Sequence, residues 1–204
     1  MKKLFWLAAV TFFLGACGSN NVKNEDASLG EADRSSTPAK VKKSKKDGGK
    51  SIVVYYSLTE NTRAVAEEIQ KQVEGASLRI ETQEPYPEEY DEVLDIVQAQ
   101  RERNELPAIV SKEITLADYD VIYLGAPIWF GEPALPVEQW LRENDLAGKR
   151  VYPFFTSGSS SINESMKHYS KLLDGSTLGK GLGINSSNKQ HTAELVEEWL
   201  AQLD

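Results

Sequence analysis

Cysteine and histidine are scarce in this chain of 204 residues, which contains one cysteine and two histidines. A lone thiol, Cys17, has no partner for a disulfide, a cysteine zinc site or a dithiol redox pair. His168 and His191 lie in helical patterns without the spacing of metal ligands, and no Ser-His-Asp arrangement is evident. The sequence therefore predicts no metal site and no catalytic side chain, so any redox chemistry must reside on a bound cofactor.

A hydrophobic run that could comfortably cross a bilayer is also lacking, because the apolar stretch at residues 4–14 is too short. Lys2 and Lys3 precede it and small residues follow it, which is typical of a secretory signal peptide. The segment Leu14-Gly15-Ala16-Cys17 resembles the bacterial lipobox, whose cysteine carries lipid. We therefore predict that residues 1–17 are a lipoprotein signal peptide and that Cys17 anchors the protein on the extracytoplasmic side of a cell membrane. The alternative is an ordinary signal peptide with an incidental cysteine.

The two segments after Cys17 differ sharply in composition. Residues 18–50 are poor in apolar side chains and rich in Ser, Asn, Gly, Glu and Lys, which predicts a disordered, lysine-rich tether. Its lysines serve either as solvated spacer or as a contact for anionic lipid. Residues 51–204 hold 13 basic and 26 acidic residues, a net charge of −13. Such a domain is unsuited to nucleic acid and suited to a basic partner protein, although acidity also serves solubility.

The best-defined motif lies where an apolar run at residues 52–56 gives way to Ser57-Leu58-Thr59-Glu60-Asn61-Thr62 and then to a helical pattern. The run predicts a buried strand, and the pattern predicts a helix that begins in a hydroxyl-rich turn. Backbone N–H groups at a helix start attract anions, and hydroxyls add donors. Walker and Rossmann glycine patterns are absent. We interpret this turn as a phosphate-binding loop rather than only a helix cap.

Strand and helix patterns alternate along residues 51–204, a length typical of one domain. Four further strands are predicted at residues 77–82, 120–125, 150–156 and 177–184, and four further helices at residues 88–103, 133–142, 162–173 and 188–203. This alternation predicts an α/β fold, a doubly wound five-stranded parallel sheet with helices on both faces. Ligands bind such sheets at the carboxyl ends of the strands, where the loops after the first, third and fourth strands should converge.

The loops after the third and fourth strands carry further candidate site residues. The first contains Pro127-Ile128-Trp129-Phe130-Gly131, where an exposed aromatic pair offers a flat apolar face to a flat ring. The alternative is that one or both rings pack into the core. The second begins Thr156-Ser157-Gly158-Ser159, whose N–H and hydroxyl groups suit the polar edge of a ring. A flexible Ser-rich turn that caps the next helix explains this second loop equally well.

The three loops resemble those of the flavodoxin family in order and spacing. S-x-T-x-N-T resembles the family's phosphate loop, G-x-P-I-W-x-G resembles the segment beside the flavin ring, and the Thr156 loop matches the second flavin loop in position. Glu60 replaces a usual glycine, and Ser157 replaces a histidine of many relatives, which puts any His-dependent chemistry in doubt. The resemblance implies strand order 2-1-3-4-5 and FMN as the cofactor. The residues that it assigns to FMN are Ser57, Thr59, Glu60, Asn61, Thr62, Pro127, Ile128, Trp129, Phe130, Gly131, Thr156, Ser157, Gly158 and Ser159.

The resemblance and the signal segment together predict a lipid-anchored, extracytoplasmic protein that binds FMN and carries electrons to or from a redox partner protein. Two alternatives remain open on the same fold. One is a flavin-dependent NAD(P)H:quinone reductase, which needs a second pocket for which the sequence has no obvious insertion. The other is a binding lipoprotein that has lost the flavin, which Glu60 and the altered Ser157 loop keep open.

Overall fold

The computed structural model describes residues 49–203, apart from residues 111 and 113. The predicted signal peptide, the predicted lipid site Cys17 and nearly all of the predicted tether lie outside these described residues. Among the residues that are described, no helix is both long enough and apolar enough to cross a membrane.

A twisted sheet of mainly parallel strands forms the centre of the domain. Its strands are β1 (Ser51–Tyr55), β2 (Ala76–Arg79), β3 (Val121–Trp129), β4 (Glu132–Pro133), β5 (Arg150–Ser157), β6 (Thr177–Leu178) and β7 (Leu182–Asn185). They lie in the order β2-β1-β3-β5, with β6 and β7 both paired to the far side of β5. The predicted order 2-1-3-4-5 is confirmed, because β6 and β7 are two parts of the predicted fifth strand.

The fifth strand is divided because the chain passes very close to packed side chains at two glycines. A Cβ atom at Gly179 would lie 2.3 Å from the ring of Tyr152, and one at Gly181 would lie 2.6 Å from Met166 Sδ. Only glycine fits these positions without movement of a neighbour. β6 therefore pairs with the start of β5, and β7 pairs with its end.

β3 is longer than predicted and includes part of the expected loop. Residues 125–127 pair with residues 154–156 of β5, and the strand continues to Trp129. The chain then reverses at Phe130 and Gly131 and returns as β4, antiparallel to the end of β3. The prediction of an irregular segment directly after Gly125 was wrong. β5 extends to Ser157, so residues 126 and 127 of β3 still have strand partners in β5.

Five helices cover the sheet: α1 (Asn61–Val73), α2 (Tyr90–Glu102), α3 (Leu135–Glu143), α4 (Asn163–Leu172) and α5 (Thr192–Leu200). α1 and α5 pack over the face that contains Val53 and Tyr55, whereas α2, α3 and α4 pack over the face that contains Ile52 and Val54. Successive residues of a strand point to opposite faces, so β1 is buried on both sides. This arrangement confirms the predicted doubly wound fold.

Candidate functional site

A cleft of about 640 Å³ opens at the carboxyl end of the sheet. β1, β3, β5 and β7 are parallel and end at this edge, so the segments that follow them meet there. Eight of the predicted site residues line the cleft: Thr59, Asn61, Pro127, Ile128, Trp129, Thr156, Ser157 and Gly158. The other six lie outside its lining: Ser57, Glu60, Thr62, Phe130, Gly131 and Ser159.

The turn between β1 and α1 presents hydrogen-bond donors to the cleft. Asn61 is the first residue of α1, and its Nδ2 donates to Thr59 Oγ1 at 2.9 Å. Within the described residues, the backbone N–H groups of Thr59, Asn61 and Thr62 are bonded to no acceptor. The first turn of α1 contains no acidic residue. Unsatisfied donors at a helix start without a nearby carboxylate in that turn are suited to an anion.

Ser57 and Thr62 support the turn from behind. Both side chains are buried, and Ser57 Oγ accepts the backbone N–H of Arg63 at 3.2 Å. The hydroxyls of Thr62 and Thr156 lie 2.7 Å apart, which joins the first turn of α1 to the end of β5. These two predicted cofactor ligands use their hydroxyl groups to position the loop within the protein.

Glu60 has a left-handed backbone conformation, with φ of 60°. This conformation costs a non-glycine residue about 1–2 kcal/mol, which explains why glycine is usual at the corresponding position of the phosphate loops that this turn resembles. The Glu60 carboxylate pairs with Arg79 Nη2 at 2.6 Å and with Arg63 Nη1 at 2.9 Å. These bonds, the one with Arg79 first, hold the pKa of Glu60 below its ordinary value. Two arginines therefore offset the charge that Glu60 adds beside the phosphate-binding turn.

Trp129 is only 2% exposed, so the predicted exposed aromatic pair is not present. Its ring packs edge-on against Tyr56 and Tyr86, with centroid distances of 5.7 and 5.1 Å. Burial raises the pKa of Tyr86 to about 12, which keeps that hydroxyl protonated near neutral pH. Tyr86 in turn donates to Gln100 Oε1 at 2.8 Å. Trp129 therefore lies at the edge of the cleft, with its ring packed into the core against two tyrosines.

Phe130 and Gly131 form the reversal between β3 and β4, with φ values of 51° and 82°. Phe130 is 52% exposed, and the guanidinium of Arg101 lies 5.6 Å from its ring centroid. Arg101 also pairs with Glu132 at 3.0 Å, and Ser165 Oγ donates to the Gly131 carbonyl at 3.0 Å. Side chains of α2 and α4 therefore hold this reversal in place. Phe130 and Gly131 are adjacent in sequence to the lining residue Trp129 but are not themselves among the lining residues.

The loop after β5 brings Thr156, Ser157 and Gly158 to the cleft but leaves Ser159 outside the lining. Ser157 Oγ donates to the Ser160 carbonyl at 3.0 Å, which shapes the turn. The Gly158 carbonyl accepts the backbone N–H of Ser186 at 3.2 Å. This contact ties the predicted loop to the segment that follows β7.

One wall of the cleft was missed by sequence reasoning. It is formed by the segment after β7, through Ile184, Asn185, Ser186, Lys189, Gln190 and Thr192. The available signal was the parallel sheet itself, because the fifth strand ends at the same edge as the third and fourth. Tyr90 at the start of α2 was also missed as a lining residue.

His168 connects three elements beside the reversal at Phe130 and Gly131. Its Nε2 lies 3.1 Å from Glu138 Oε2 on α3, and its Nδ1 lies 3.6 Å from Glu132 Oε1 on β4. The hydrogen bond with Glu138 is the main cause that raises the pKa of His168 above its ordinary value. In the described part of the chain, no group of three or more His, Cys, Asp and Glu residues could hold a metal ion.

The fold and the cleft define a flavodoxin-like α/β protein, and the comparisons agree. The chain belongs to the flavodoxin family, because the family model described as Flavodoxin matches residues 50–203. A search of curated protein sequences finds no match.

Solved structures include several similar flavoproteins. A protein of Bacteroides uniformis assigned as a flavoprotein is 30% identical, with a TM-score of 0.64, and the match covers 74% of this chain and 99% of that one. A similar assignment from Bacteroides eggerthii is 28% identical, with a TM-score of 0.65, and covers 74% and 96% of the two chains. A flavoprotein of Lactobacillus acidophilus in complex with FMN is 25% identical, with a TM-score of 0.61, and covers 71% and 99%.

The walls of the cleft fit the cofactor that this family implies. Family membership and the FMN complex of the Lactobacillus acidophilus relative support FMN as the cofactor. The unsatisfied N–H groups of Thr59 and Asn61 suit a phosphate, and the wall at Ile128 and Trp129 suits an apolar ring. Polar groups from Ser157 onward are available to the hydrogen-bonding edge of that ring.

Proposed function

We propose that this chain is an FMN-binding electron-transfer protein, anchored through lipid on Cys17 to the extracytoplasmic side of a bacterial membrane. Its redox partner is a basic protein. The observation that carries the proposal is the combination of groups in one cleft, whose lining includes both the donors at Thr59 and Asn61 and the apolar residues Ile128 and Trp129. That combination suits a molecule with an anionic tail and a flat ring. The anchoring rests on the signal segment and on Cys17.

FMN supplies the one-electron redox chemistry when it is bound. The residues of the chain bind and orient it. The start of α1 and Thr59 hold the phosphate, Ile128 and Trp129 exclude water from the ring, and Ser157 with Gly158 orients its polar edge. The described lining contains no histidine and no carboxylate that could move a proton to a substrate. This composition favours a carrier over a reductase.

The direct test is the visible absorption spectrum of the purified full-length chain after FMN addition and removal of excess cofactor. We expect about one flavin per chain to remain bound. A chain that retains no flavin would instead support the binding lipoprotein, because both redox alternatives need the cofactor.

A further inference from the structure

The charge pattern of the cleft differs from that of the domain around it. Residues 51–204 carry a net charge of −13, yet the described residues that line the cleft include no acidic side chain. Their single charged member is Lys189, in the short turn Lys189–His191 that precedes α5. An acidic domain that places only a cation at its cleft is suited to an anionic ligand.

Lys189 lines the same cleft as the phosphate-binding turn. Asn61, Ala64 and Val65 of α1 line the cleft together with Lys189 and Thr192. Further along α1, Gln72 Nε2 donates to the carbonyl of Ala193 at 3.2 Å. The start of α5 therefore contacts the last turn of α1 through Ala193, whereas Thr192 shares the cleft lining with residues of the first two turns of α1.

A second connection, through the sheet, joins the phosphate-binding turn to the segment after β7 that contains Lys189. Thr156 is opposite Ile184 in the pairing of β5 with β7, and the hydroxyl of Thr156 contacts the hydroxyl of Thr62. The backbone N–H of Ser186 then donates to Gly158. The segment after β7 therefore lies beside the end of β5, and the Thr156 hydroxyl at that end supports the first turn of α1.

The other cations beside the turn are already engaged. Arg79 and Arg63 both pair with Glu60, and Arg63 also pairs with Glu67 at 2.7 Å. Within the described residues, no ion pair or hydrogen bond is found for Nζ of Lys189, and its side chain is exposed at the cleft. A dianionic phosphate at the start of α1 would therefore meet one cation that no carboxylate neutralises.

We propose that Lys189, in the segment after β7, binds the phosphate of FMN together with the start of α1, and thereby selects the phosphorylated flavin over riboflavin. This inference rests on the proposed function. It adds to the phosphate loop a contact from the last loop of the sheet, outside the three segments that carry the family resemblance. Exposed charge pairs at a few ångströms contribute about 1 kcal/mol, which corresponds to about a fivefold change in affinity.

The test compares FMN and riboflavin binding to the purified full-length chain by flavin fluorescence quenching. We expect Lys189→Gln to weaken FMN binding about fivefold and to leave riboflavin binding unchanged, whereas Lys189→Arg retains FMN affinity. The matched control is Lys171→Gln, because Lys171 is an exposed lysine on α4 outside the cleft lining. The difference between the unmodified chain and Lys189→Gln should shrink at high salt.

Each remaining outcome overturns the inference in a different way. Unchanged FMN affinity in Lys189→Gln would show that Lys189 makes no phosphate contact. Equal losses for FMN and riboflavin would assign Lys189 a structural role. An unmodified chain that binds neither flavin would defeat the proposed function, and the Lys189 contact with it.

Discussion

At the scale of single residues, two strained backbone positions border the cleft. Glu60 and Phe130 both have left-handed conformations, with φ of 60° and 51°. Such a conformation costs a non-glycine residue about 1–2 kcal/mol, so it persists only where the surroundings hold it. An arginine contacts each of them, Arg79 at the Glu60 carboxylate and Arg101 at the Phe130 ring.

The adjacent aromatic residues Trp129 and Phe130 should respond very differently to substitution. Trp129→Ala should lower the free energy of unfolding by about 3–5 kcal/mol, because it removes a buried ring that packs against two tyrosines. Phe130→Ala should change it by less than about 1 kcal/mol, because Phe130 is half exposed. Urea unfolding of both variants measures this contrast.

The same pair also tests which ring contacts the flavin. The milder change Trp129→Phe should weaken FMN binding by less than the roughly 0.5–1.5 kcal/mol that an aromatic pair contributes, because phenylalanine keeps a ring at this position, which lines the cleft whereas Phe130 does not. Phe130→Leu is the matched control for FMN titrations. If neither change alters FMN affinity, the flavin ring lies away from this turn.

At the scale of secondary-structure elements, the reversal at Phe130 and Gly131 depends on contacts with neighbouring helices. β4 is only two residues long and receives support from α2 through Arg101, from α4 through Ser165 and from α4 again through His168. His168 also binds Glu138 on α3. Side chains from three helices therefore determine how the end of β3 and the reversal after it are presented to the cleft.

His168 should make the stability of this region depend on pH. Its pKa is raised in the folded protein, so its stabilising contribution is fully present below the unfolded value of about 6.5 and is lost as pH rises through the folded pKa. The difference in unfolding free energy between the unmodified chain and His168→Gln should therefore be larger near pH 6 than near pH 9. Urea unfolding at several pH values measures it. His191→Gln is the control, since His191 is exposed and its ring pairs at 3.1 Å with Glu194 of its own segment. An equal difference at both pH values would exclude the charge-dependent contribution.

At the scale of the whole molecule, an acidic domain follows a lysine-rich segment and a single cysteine. The net charge of −13 over residues 51–204 extends a negative potential around the cleft, whose lining has one cation. Such a field speeds the approach of basic proteins and slows that of acidic ones. The proposed basic redox partner would be attracted by this field.

Membrane attachment should depend on Cys17. Cys17→Ser removes the only residue that can carry the lipid thioether, so the protein should move from the membrane fraction to the soluble fraction when cells are fractionated. A variant with glutamine at Lys42, Lys43, Lys45 and Lys46 is the control for electrostatic attachment. Membrane retention of Cys17→Ser would instead indicate an uncleaved N-terminal segment or the lysine-rich tether.

Electron transfer should require a second protein. The purified FMN-loaded chain should oxidise NADH or NADPH negligibly by itself, because a carrier exchanges single electrons with a protein partner and the sequence has no obvious insertion that would build a second pocket for nicotinamide or quinone. Its reaction with a basic redox protein should slow as salt rises, since screening shortens the range of attraction to about 8 Å at physiological ionic strength. Rapid NAD(P)H turnover with a quinone and without a partner would make the chain a reductase.

The sequence by itself determined the features that depend on neighbouring residues. The phosphate-binding turn was predictable because its strand, its hydroxyls and its helix start are contiguous between Ser51 and Val73. The alternation of strands and helices predicted a parallel sheet covered on both faces for the same reason, whereas the strand order was implied by the family resemblance.

Tertiary structure alone decided the features that depend on distant partners. Trp129 is buried because β5 continues alongside β3 and because Tyr56 and Tyr86 reach its ring from other segments. Lys189 joins the cleft because β7 pairs with the end of β5, far along the chain from the phosphate-binding turn. Periodicity shows which face of an element is apolar, but strand pairing and side-chain packing determine which residues from separate segments meet.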